Sequence, residues 1–131
     1  MPTLFTRIIA KELPAAFVWE DDRCVAFMAK DACRPGHLLV VPREEVDHWL
    51  DADDDLMAHL LRTSRAVGTA LQQAFPSEKV AMVLVGLEVP HLHLHLIPID
   101  GIGDVDFTKA RRDVPMEELQ AAASAIRAAL G

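Results

Sequence analysis

Histidine is the residue type whose spacing in this chain most clearly indicates chemistry. Three of its six histidines, His91, His93 and His95, alternate with leucine over consecutive positions. Alternate side chains of a β-strand share a face and lie roughly 6.5–7 Å apart. The pattern therefore predicts a row of imidazoles along one face of a strand, on the surface or on the floor of a cleft. The intervening side chains are expected to point into the core: Leu92, Leu94 and Leu96.

Two interpretations of this row need no nucleophile. An exposed polar face explains the alternation, but not the threefold use of one uncommon residue. A metal site is the second, because imidazole is a common metal ligand. However, the first and third histidines of such a row lie roughly 13 Å apart, too far to share one ion with bonds near 2 Å. A metal would need a further ligand, and no paired carboxylates are directed at the row.

The third interpretation is nucleophilic catalysis on phosphorus. Imidazole is a good nucleophile when one ring nitrogen is unprotonated and an acceptor holds the proton of the other. Flanking histidines can donate hydrogen bonds to phosphoryl oxygens and help to protonate a leaving group. A row of three imidazoles suits this division of roles.

The elements that must position these histidines follow from apolar periodicity and turn residues. Pro14 ends the first predicted helix, and Glu20-Asp21-Asp22-Arg23 supplies the turn of a β-hairpin. Their order predicts a single α+β domain over residues 1–131, with helices against an antiparallel sheet of about five strands. Strand order is left open. The predicted helices cover residues 4–11, 53–75 and about 115–130, and the strands cover 16–20, 23–28, 37–42, 79–85 and 91–98.

Composition narrows the classes of partner. The 131 residues carry a net charge of −7, which argues against binding polymeric nucleic acid. A small phosphorylated ligand stays compatible, because a local pocket can oppose the overall sign. Cys24 and Cys33 are too few and too loosely spaced for a disulfide framework, so we expect reduced thiols. Neither a signal peptide nor an apolar run of about 20 residues is present, so we expect a cytoplasmic protein.

The run Val89–Pro98 (VPHLHLHLIP) resembles the signature of the histidine triad family of nucleotide hydrolases and transferases. Other motifs of that family match in the same order along the chain. The resemblance becomes much less specific after about residue 100. The matching segments are Leu4–Ile9, Glu12-Leu13-Pro14, Glu20-Asp21-Asp22, Ala26-Phe27, Pro35-Gly36-His37 and Val40-Val41-Pro42.

The resemblance implies a reaction and a role for each histidine. His93 would attack the α-phosphate of a nucleotide conjugate and form a covalent nucleotidyl-histidine, from which water releases the nucleoside monophosphate. His95 and His37 would bind the phosphate, and His91 would complete a proton-handling row. No cofactor is implied. The residues that would enclose the base are Leu4, Phe5, Ile8, Phe27 and Leu39.

The resemblance also implies a homodimer in which two sheets join. The strand over residues 79–85 is apolar at both parities, so we expect both of its faces to be covered. It is the natural candidate for the junction. Coverage within one subunit would explain its composition equally well.

The first of three departures from the family pattern concerns metal binding. Many relatives bind a structural zinc through N-terminal cysteines and histidines. The matching positions here are Thr3, Thr6 and Glu45, which lack the thiolates of a structural zinc site. We therefore predict no structural zinc and no other metal in this chain.

Further departures affect the nucleotide side of the site. The family usually places a carboxylate for the ribose hydroxyls at the position of Ala29, followed by an apolar base contact where this chain has Lys30. Asp31 shares the parity of Ala29 and would substitute if the backbone shifted. Losing a charged acceptor costs roughly 1.5–3 kcal/mol of binding. Glu88 occupies a region that usually donates to phosphate. It is either a solvent-facing turn residue or an attractor for a cationic leaving group.

These observations favour a hydrolase acting on nucleoside 5′-phosphoramidates or related nucleotidyl conjugates. Dinucleoside polyphosphate hydrolysis is the alternative within the family. A nucleotide- or partner-binding module that has kept the histidines without turnover is the alternative from another class. The missing ribose carboxylate at Ala29 keeps this last alternative open.

Overall fold

The computed structural model describes residues 2–131. Five strands form one sheet in the order β1-β2-β3-β5-β4, and all neighbours are antiparallel. The α+β class and the five-stranded antiparallel sheet predicted from the sequence are thereby confirmed. The strands are β1 (Phe17–Glu20), β2 (Cys24–Met28), β3 (Leu38–Pro42), β4 (Lys79–Val83) and β5 (Leu94–Ile99), and the α-helices are α1 (Leu4–Ile9), α2 (Asp54–Ala74) and α3 (Met116–Leu130).

The β1–β2 hairpin is built on one aspartate. Asp21 Oδ1 accepts hydrogen bonds from the backbone N–H groups of Arg23 and Cys24, both at 2.8 Å. A side-chain carboxylate that accepts from the backbone two residues on is a common way to close a tight turn. The turn therefore forms within the segment that the sequence predicted.

The long helix α2 begins where its sequence allows the first turn to be capped. The Asp53 carboxylate accepts the Leu56 N–H at 2.7 Å, and Asp54 and Asp55 lie near the positive end of the helix dipole. The predicted apolar stripe of this helix is buried against the sheet. It consists of Leu56, Leu60, Val67 and Leu71. Among residues 2–131, none of the helices has the length and apolarity needed to cross a lipid bilayer.

Two apolar clusters cover the two faces of the central strands. Helices α2 and α3 pack on one face, where they bury Ala26 and Val40 together with the leucines of the Leu-His alternation. The short helix α1 covers part of the other face, where Phe5 packs near Phe27 and Leu39. Because both faces are covered, β2 and β3 are buried at every position. Leu92, Leu94 and Leu96 lie in the first cluster, as predicted.

The first helix is shorter than predicted. It ends at Ile9 because Lys11 adopts a left-handed conformation with φ of 66°. Lys11 N–H then donates to Ile8 O at 3.0 Å, and Glu12 N–H donates to Arg7 O at 2.9 Å. This pair of bonds is the Schellman arrangement that terminates many helices.

The prediction that the strand of the histidine row begins at His91 is wrong. β5 begins at Leu94, so His91 and His93 precede it in an irregular segment. Only from Leu94 onward does the chain find backbone partners on β3 and β4. Side chains nevertheless keep alternating before the ladder starts, with the leucines in the core.

The prediction that both faces of the strand at residues 79–85 are covered is also wrong for the single chain. β4 ends at Val83 and lies at the edge of the sheet, with β5 as its one neighbour. Met82 is 50% exposed and Val85 is 55% exposed. The chain thus presents an apolar sheet edge with unpaired backbone groups.

Candidate active site

Three imidazoles meet where the end of the irregular segment passes beside β3. The His93 and His95 rings lie 5.0 Å apart between centroids, and the His37 ring lies 5.2 Å from that of His95. His37 directly precedes β3, and His95 is paired with Leu39 in the β3–β5 ladder. The structure thus brings together the rings of three of the four selected histidines, and His91 joins them through its backbone carbonyl, which contacts His93 Nδ1.

The hydrogen bond of His93 assigns its tautomer. His93 Nδ1 lies 2.7 Å from the backbone carbonyl oxygen of His91, which can only accept. Nδ1 therefore carries the proton, and Nε2 of the neutral ring has a free electron pair. This is the state required of a nucleophilic imidazole.

His37 and His95 form a directed chain of hydrogen bonds. The Cys33 backbone N–H donates to His37 Nδ1 at 2.9 Å, so the His37 proton is on Nε2. His37 Nε2–H donates to His95 Nδ1 at 2.9 Å. The His95 proton is therefore on Nε2, where it is available as a donor to an anion.

The side chain of His91 has a different environment. Its Nε2–H donates to Pro42 O at 2.7 Å, and its Nδ1 lies 2.6 Å from Thr3 Oγ1. The ring is fully buried, and it is not among the residues that line the neighbouring cavity. This placement argues against the expected proton-handling role, because both nitrogens are already engaged within the protein.

Burial keeps all four rings neutral. Loss of hydration on burial lowers the pKa of His37 to about 4. Burial is also the main cause that lowers the pKa of His95 to about 3, and the neighbouring His37 and His93 lower it further. Burial also lowers the pKa values of His91 and His93, against the effect of the carbonyls to which they donate. At neutral pH the site therefore offers neutral donors and a neutral nucleophile.

A cavity of about 740 Å³ opens beside His93 and His95, both of which line it. Helix α1 and the segment after β4 form two of its sides. The structure brings to it all eight residues expected at the nucleotide, whose binding role stays a prediction. These residues are Leu4, Phe5, Ile8, Phe27, Ala29, Lys30, Leu39 and Glu88.

No carboxylate lies at the position of Ala29, and Asp31 is engaged elsewhere. Asp31 lines the cavity, but its oxygens accept the Asp113 N–H and an Arg112 N–H, each at 3.0 Å. These contacts lower the Asp31 pKa, with the Asp113 backbone bond as the largest cause. Lys30 Nζ lies 3.4 Å from Asp113 Oδ1. The side of the cavity near Ala29 therefore carries paired charges instead of a free acceptor.

Sequence reasoning missed the contribution of the chain after residue 100. The Phe107 ring lies 4.8 Å from the His95 ring and 6.1 Å from the His37 ring. Arg112 and Val114 line the cavity together with Met116 from the start of α3. This segment has neither strong periodicity nor a motif. An isolated aromatic among polar residues was the one signal that could have drawn attention to Phe107.

The positions at which many relatives hold zinc are joined here by hydrogen bonds. Glu45 Oε1 accepts from the Thr3 backbone N–H at 2.8 Å and from the Thr6 hydroxyl at 2.5 Å. Thr3 in turn contacts His91. Hydroxyl and carboxylate oxygens without thiolates are a poor donor set for structural zinc. The absence of zinc stays a prediction, which elemental analysis of the purified protein would test.

One further group of metal-ligating side chains occurs in the described residues, at the β1–β2 turn. Asp21, Cys24 and His59 place their ligand atoms within 4.8 Å of one another. Asp21 Oδ2 already accepts from Trp19 Nε1 and from His59 Nε2, both at 2.8 Å. Burial raises the pKa of the Cys24 thiol to about 11, so the sulfur is protonated. We assign this group to the stability of the turn.

Comparison with known proteins agrees with this geometry. The family model of the HIT domain matches residues 10–102. This chain belongs to the histidine triad family. An uncharacterised HIT-like protein of Synechococcus elongatus is 35% identical over 100 residues, which are 72% of this chain and 88% of that protein. Protein hit of Bacillus subtilis is 30% identical over 134 residues, covering 94% of this chain and 90% of its own length.

Solved structures of histidine triad proteins share the whole fold. A Hit-like protein from Bartonella henselae, involved in cell-cycle regulation, aligns with a TM-score of 0.86 at 31% identity, over 97% of this chain and 95% of that chain. A hypothetical histidine triad nucleotide-binding protein from Sulfolobus tokodaii aligns with a TM-score of 0.85 at 27% identity, over 96% and 90%. Membership of the histidine triad family supports a nucleotide-binding protein of the hydrolase or transferase kind.

Proposed function

We propose that this histidine triad protein hydrolyses nucleoside 5′-phosphoramidates or related nucleotidyl conjugates through a covalent intermediate on His93. One observation carries the proposal. In the same cavity, His93 has its proton fixed on Nδ1 by the His91 carbonyl, and His95 has its proton on Nε2. A nucleophile and a hydrogen-bond donor are therefore adjacent, as in-line attack on phosphorus requires.

The reaction follows in two balanced steps. His93 Nε2 attacks the α-phosphorus, the phosphorus–nitrogen bond of the substrate breaks, and the departing nitrogen takes up one proton from solvent as the amine leaves. The positive charge on the modified ring is stabilised by the Nδ1–H bond to the His91 carbonyl. His95 Nε2–H donates to a phosphoryl oxygen. Water then attacks phosphorus, the bond from phosphorus to Nε2 breaks, and the nucleoside monophosphate is released together with one proton, which replaces the proton taken up in the first step.

Glu88 favours an amine over a phosphate as the leaving group. It lines the cavity, and its negative charge acts on His93 in the direction that raises the His93 pKa. A carboxylate at this point attracts a cationic leaving group and repels an anionic one. Dinucleoside polyphosphates, whose leaving groups are strongly anionic, therefore suit this cavity less well.

The experiment is turnover of an adenosine 5′-phosphoramidate by the wild type and by His93→Ala. We expect wild-type release of AMP and a nucleotidyl-histidine trapped by rapid acid quench. His93→Ala should lose at least about 10³-fold in rate and yield no trapped species, because the nucleophile is gone. A chelator should leave the rate unchanged, since the proposed chemistry needs no metal.

Two results would contradict this proposal. If the wild type neither turns over nor traps while AMP still raises its Tm, the protein is a nucleotide-binding module. If it cleaves diadenosine tetraphosphate faster than any phosphoramidate, the alternative substrate class is correct.

The Glu88→Gln variant serves as a matched control. It should lose rate on substrates with a cationic leaving group and not on those with a neutral one, and equal rates in both proteins would remove the proposed role of Glu88.

We also propose that the protein is a homodimer joined through the edge strand β4. Its exposed apolar side chains and unpaired backbone groups support this proposal, because such an edge readily accepts a further strand. Pairing with a second copy would cover the faces that the single chain leaves open.

A further inference from the structure

A chain of hydrogen bonds leads from the exposed carboxylate of Glu45 to the imidazole of His93. At its outer end, Glu45 Oε1 accepts from the Thr3 backbone N–H at 2.8 Å and from the Thr6 hydroxyl at 2.5 Å. Thr3 is the N-cap of α1, where its Oγ1 accepts the Thr6 N–H at 3.1 Å. Glu45 follows β3, so these bonds tie the start of the first helix to the sheet.

The middle of the chain is the contact between Thr3 and His91. The His91 Nε2–H donates to Pro42 O at 2.7 Å, so the Nδ1 of this neutral ring must accept. Thr3 Oγ1, at 2.6 Å, is its donor. Because the ring is fully buried, an Nδ1 without this donor would have no water to replace it.

The inner end is the backbone carbonyl of His91, which accepts the His93 Nδ1–H at 2.7 Å. Phe5 lies between Thr3 and Thr6 in the sequence, and its ring contacts the imidazoles of His91 and His93. Its centroid is 5.8 Å from that of His91 and 4.9 Å from that of His93. The same network therefore holds the carbonyl that fixes the nucleophile and the aromatic ring beside it.

We propose that Thr3 and Glu45 are positioning residues that hold His93 in its nucleophilic tautomer and orientation through His91. The inference rests on the proposed function of His93. Neither Thr3 nor Glu45 lines the 740 Å³ cavity, so both act through other residues. Their effect should appear in the chemical step, because a small displacement of a reacting group is costly even when its cause lies outside the site.

A purely structural role of Thr3 and Glu45 would predict a different pattern of effects among the variants. If the network only fastened α1 to the sheet, any variant that weakens the fastening would act alike. Thr6 provides the matched control, because it bonds to Glu45 but makes no hydrogen bond to His91. Thr6→Val weakens the fastening and keeps the donor to His91, whereas Thr3→Val removes that donor. Thr3→Ser restores the hydroxyl.

The first readout is the ¹⁵N NMR spectrum of the histidine rings in the free protein, which reports each tautomer without any substrate. In the wild type we expect His91 protonated at Nε2 and His93 protonated at Nδ1. Thr3→Val should give a mixture of His93 tautomers, and Thr3→Ser should return a single one. Thr6→Val should lower Tm less than Thr3→Val, which also removes the N-cap of α1 and the donor to His91, and it should leave the His93 signals unchanged.

The second readout is the kinetics of nucleotidyl transfer. Thr3→Val should lower kcat roughly tenfold or more with a smaller change in KM, and Thr3→Ser should recover most of the loss. Glu45→Ala should act in the same direction. The double variant Thr3→Val/Glu45→Ala should be no slower than Thr3→Val alone, because both substitutions act through one bond.

An unchanged His93 tautomer and kcat in Thr3→Val would overturn the inference. Equal changes of both readouts in Thr6→Val and Thr3→Val would also overturn it, because they would indicate loss of fastening alone. If the wild type hydrolyses no nucleotidyl conjugate, the proposed function fails. The tautomers of His93 in Thr3→Val then still decide whether Thr3 positions it.

Discussion

The nitrogen atoms of His37, His91, His93 and His95 each face a different partner. His91 Nδ1 contacts the Thr3 hydroxyl, and His37 Nδ1 accepts a backbone N–H. His93 donates to a carbonyl, and His95 accepts from His37. Four residues of one type thus differ in which nitrogen carries the proton and in what it contacts, because a neutral imidazole donates through one nitrogen and accepts through the other.

The missing ribose carboxylate leads to a prediction about Ala29. Ala29→Asp should place an acceptor near the ribose hydroxyls and lower KM for a nucleoside phosphoramidate by about tenfold, equivalent to roughly 1.4 kcal/mol of binding. The small side chain of Ala29 lines the cavity and is 3% exposed, so a carboxylate introduced there has restricted access to water. The measurement is KM for paired ribose and 2′,3′-dideoxyribose substrates.

Ala29→Asn is the matched control, with the same shape and no charge. It should gain less than Ala29→Asp on the ribose substrate. Neither variant should gain on the dideoxy substrate, which lacks the hydroxyls. An equal gain on both substrates would mean that the carboxylate acts through pocket shape or stability, and the assignment of Ala29 to the ribose would be wrong.

The site residues that could be predicted are those with a local signal. The three alternating histidines share one short segment, and His37 follows a Pro-Gly pair within a matched motif. Thr3 and Phe107 carry no such signal. The Thr3–His91 bond joins residues 88 positions apart, and Phe107 reaches His95 from a segment without regular periodicity. Contacts of this kind depend on the completed fold.

At the scale of elements, the proposed dimer junction at the edge strand β4 leads to a prediction. If it is the dimer junction, the native mass by light scattering should be twice 14.4 kDa. Met82→Glu should shift the protein to monomer, because it places like charges close together across the junction and next to unpaired backbone groups. Stability should then depend less on protein concentration.

Ile102→Glu is the control for this experiment, because Ile102 is 88% exposed and lies outside β4. It should keep the mass of the wild type. A monomeric wild type would contradict the proposed dimer. A dimer that resists Met82→Glu but dissociates with Ile102→Glu would place the junction elsewhere.

Helices and buried strands could be predicted closely because their patterns extend over many residues. The predicted helix over 53–75 agrees with α2 and its caps, since its apolar stripe runs through several turns. The start of β5 could not be predicted. Alternation of His and Leu reports the direction of side chains, whereas a strand also needs backbone partners, which begin at Leu94. Sheet order depends on pairings such as β3 with β5, which the sequence does not encode locally.

At the scale of the whole molecule, the buried histidines make stability depend on pH. The folded-state pKa of His37 is about 4, below its usual 6.5, so folding favours the neutral ring. The resulting stability is present above pH 6.5 and is lost as pH falls towards 4, because the unfolded chain takes up the proton first. We expect His37 alone to account for a loss of roughly 2 kcal/mol in unfolding free energy between pH 7 and pH 5.

Urea unfolding of the wild type and His37→Asn, at both pH values and one protein concentration, measures this term. The variant should lose less stability than the wild type between pH 7 and pH 5. His95, whose pKa is lowered mainly by burial and also by His37, remains in both proteins; loss of His37 brings its pKa closer to the usual value, which reduces the loss in the variant further. Identical losses in the two proteins would show that His37 does not titrate as its burial requires.

Peptide groups supply a hydrogen-bond partner for each of three of these rings. The donor to His37 is the amide of Cys33, and the acceptors for His93 and His91 are the carbonyls of His91 and Pro42. Amino-acid replacement at position 33 can alter the side chain freely and still preserve the proton arrangement, unless proline removes the amide hydrogen. Part of the hydrogen-bond pattern of these histidines is thus set by the path of the backbone, so it can persist when side chains are substituted.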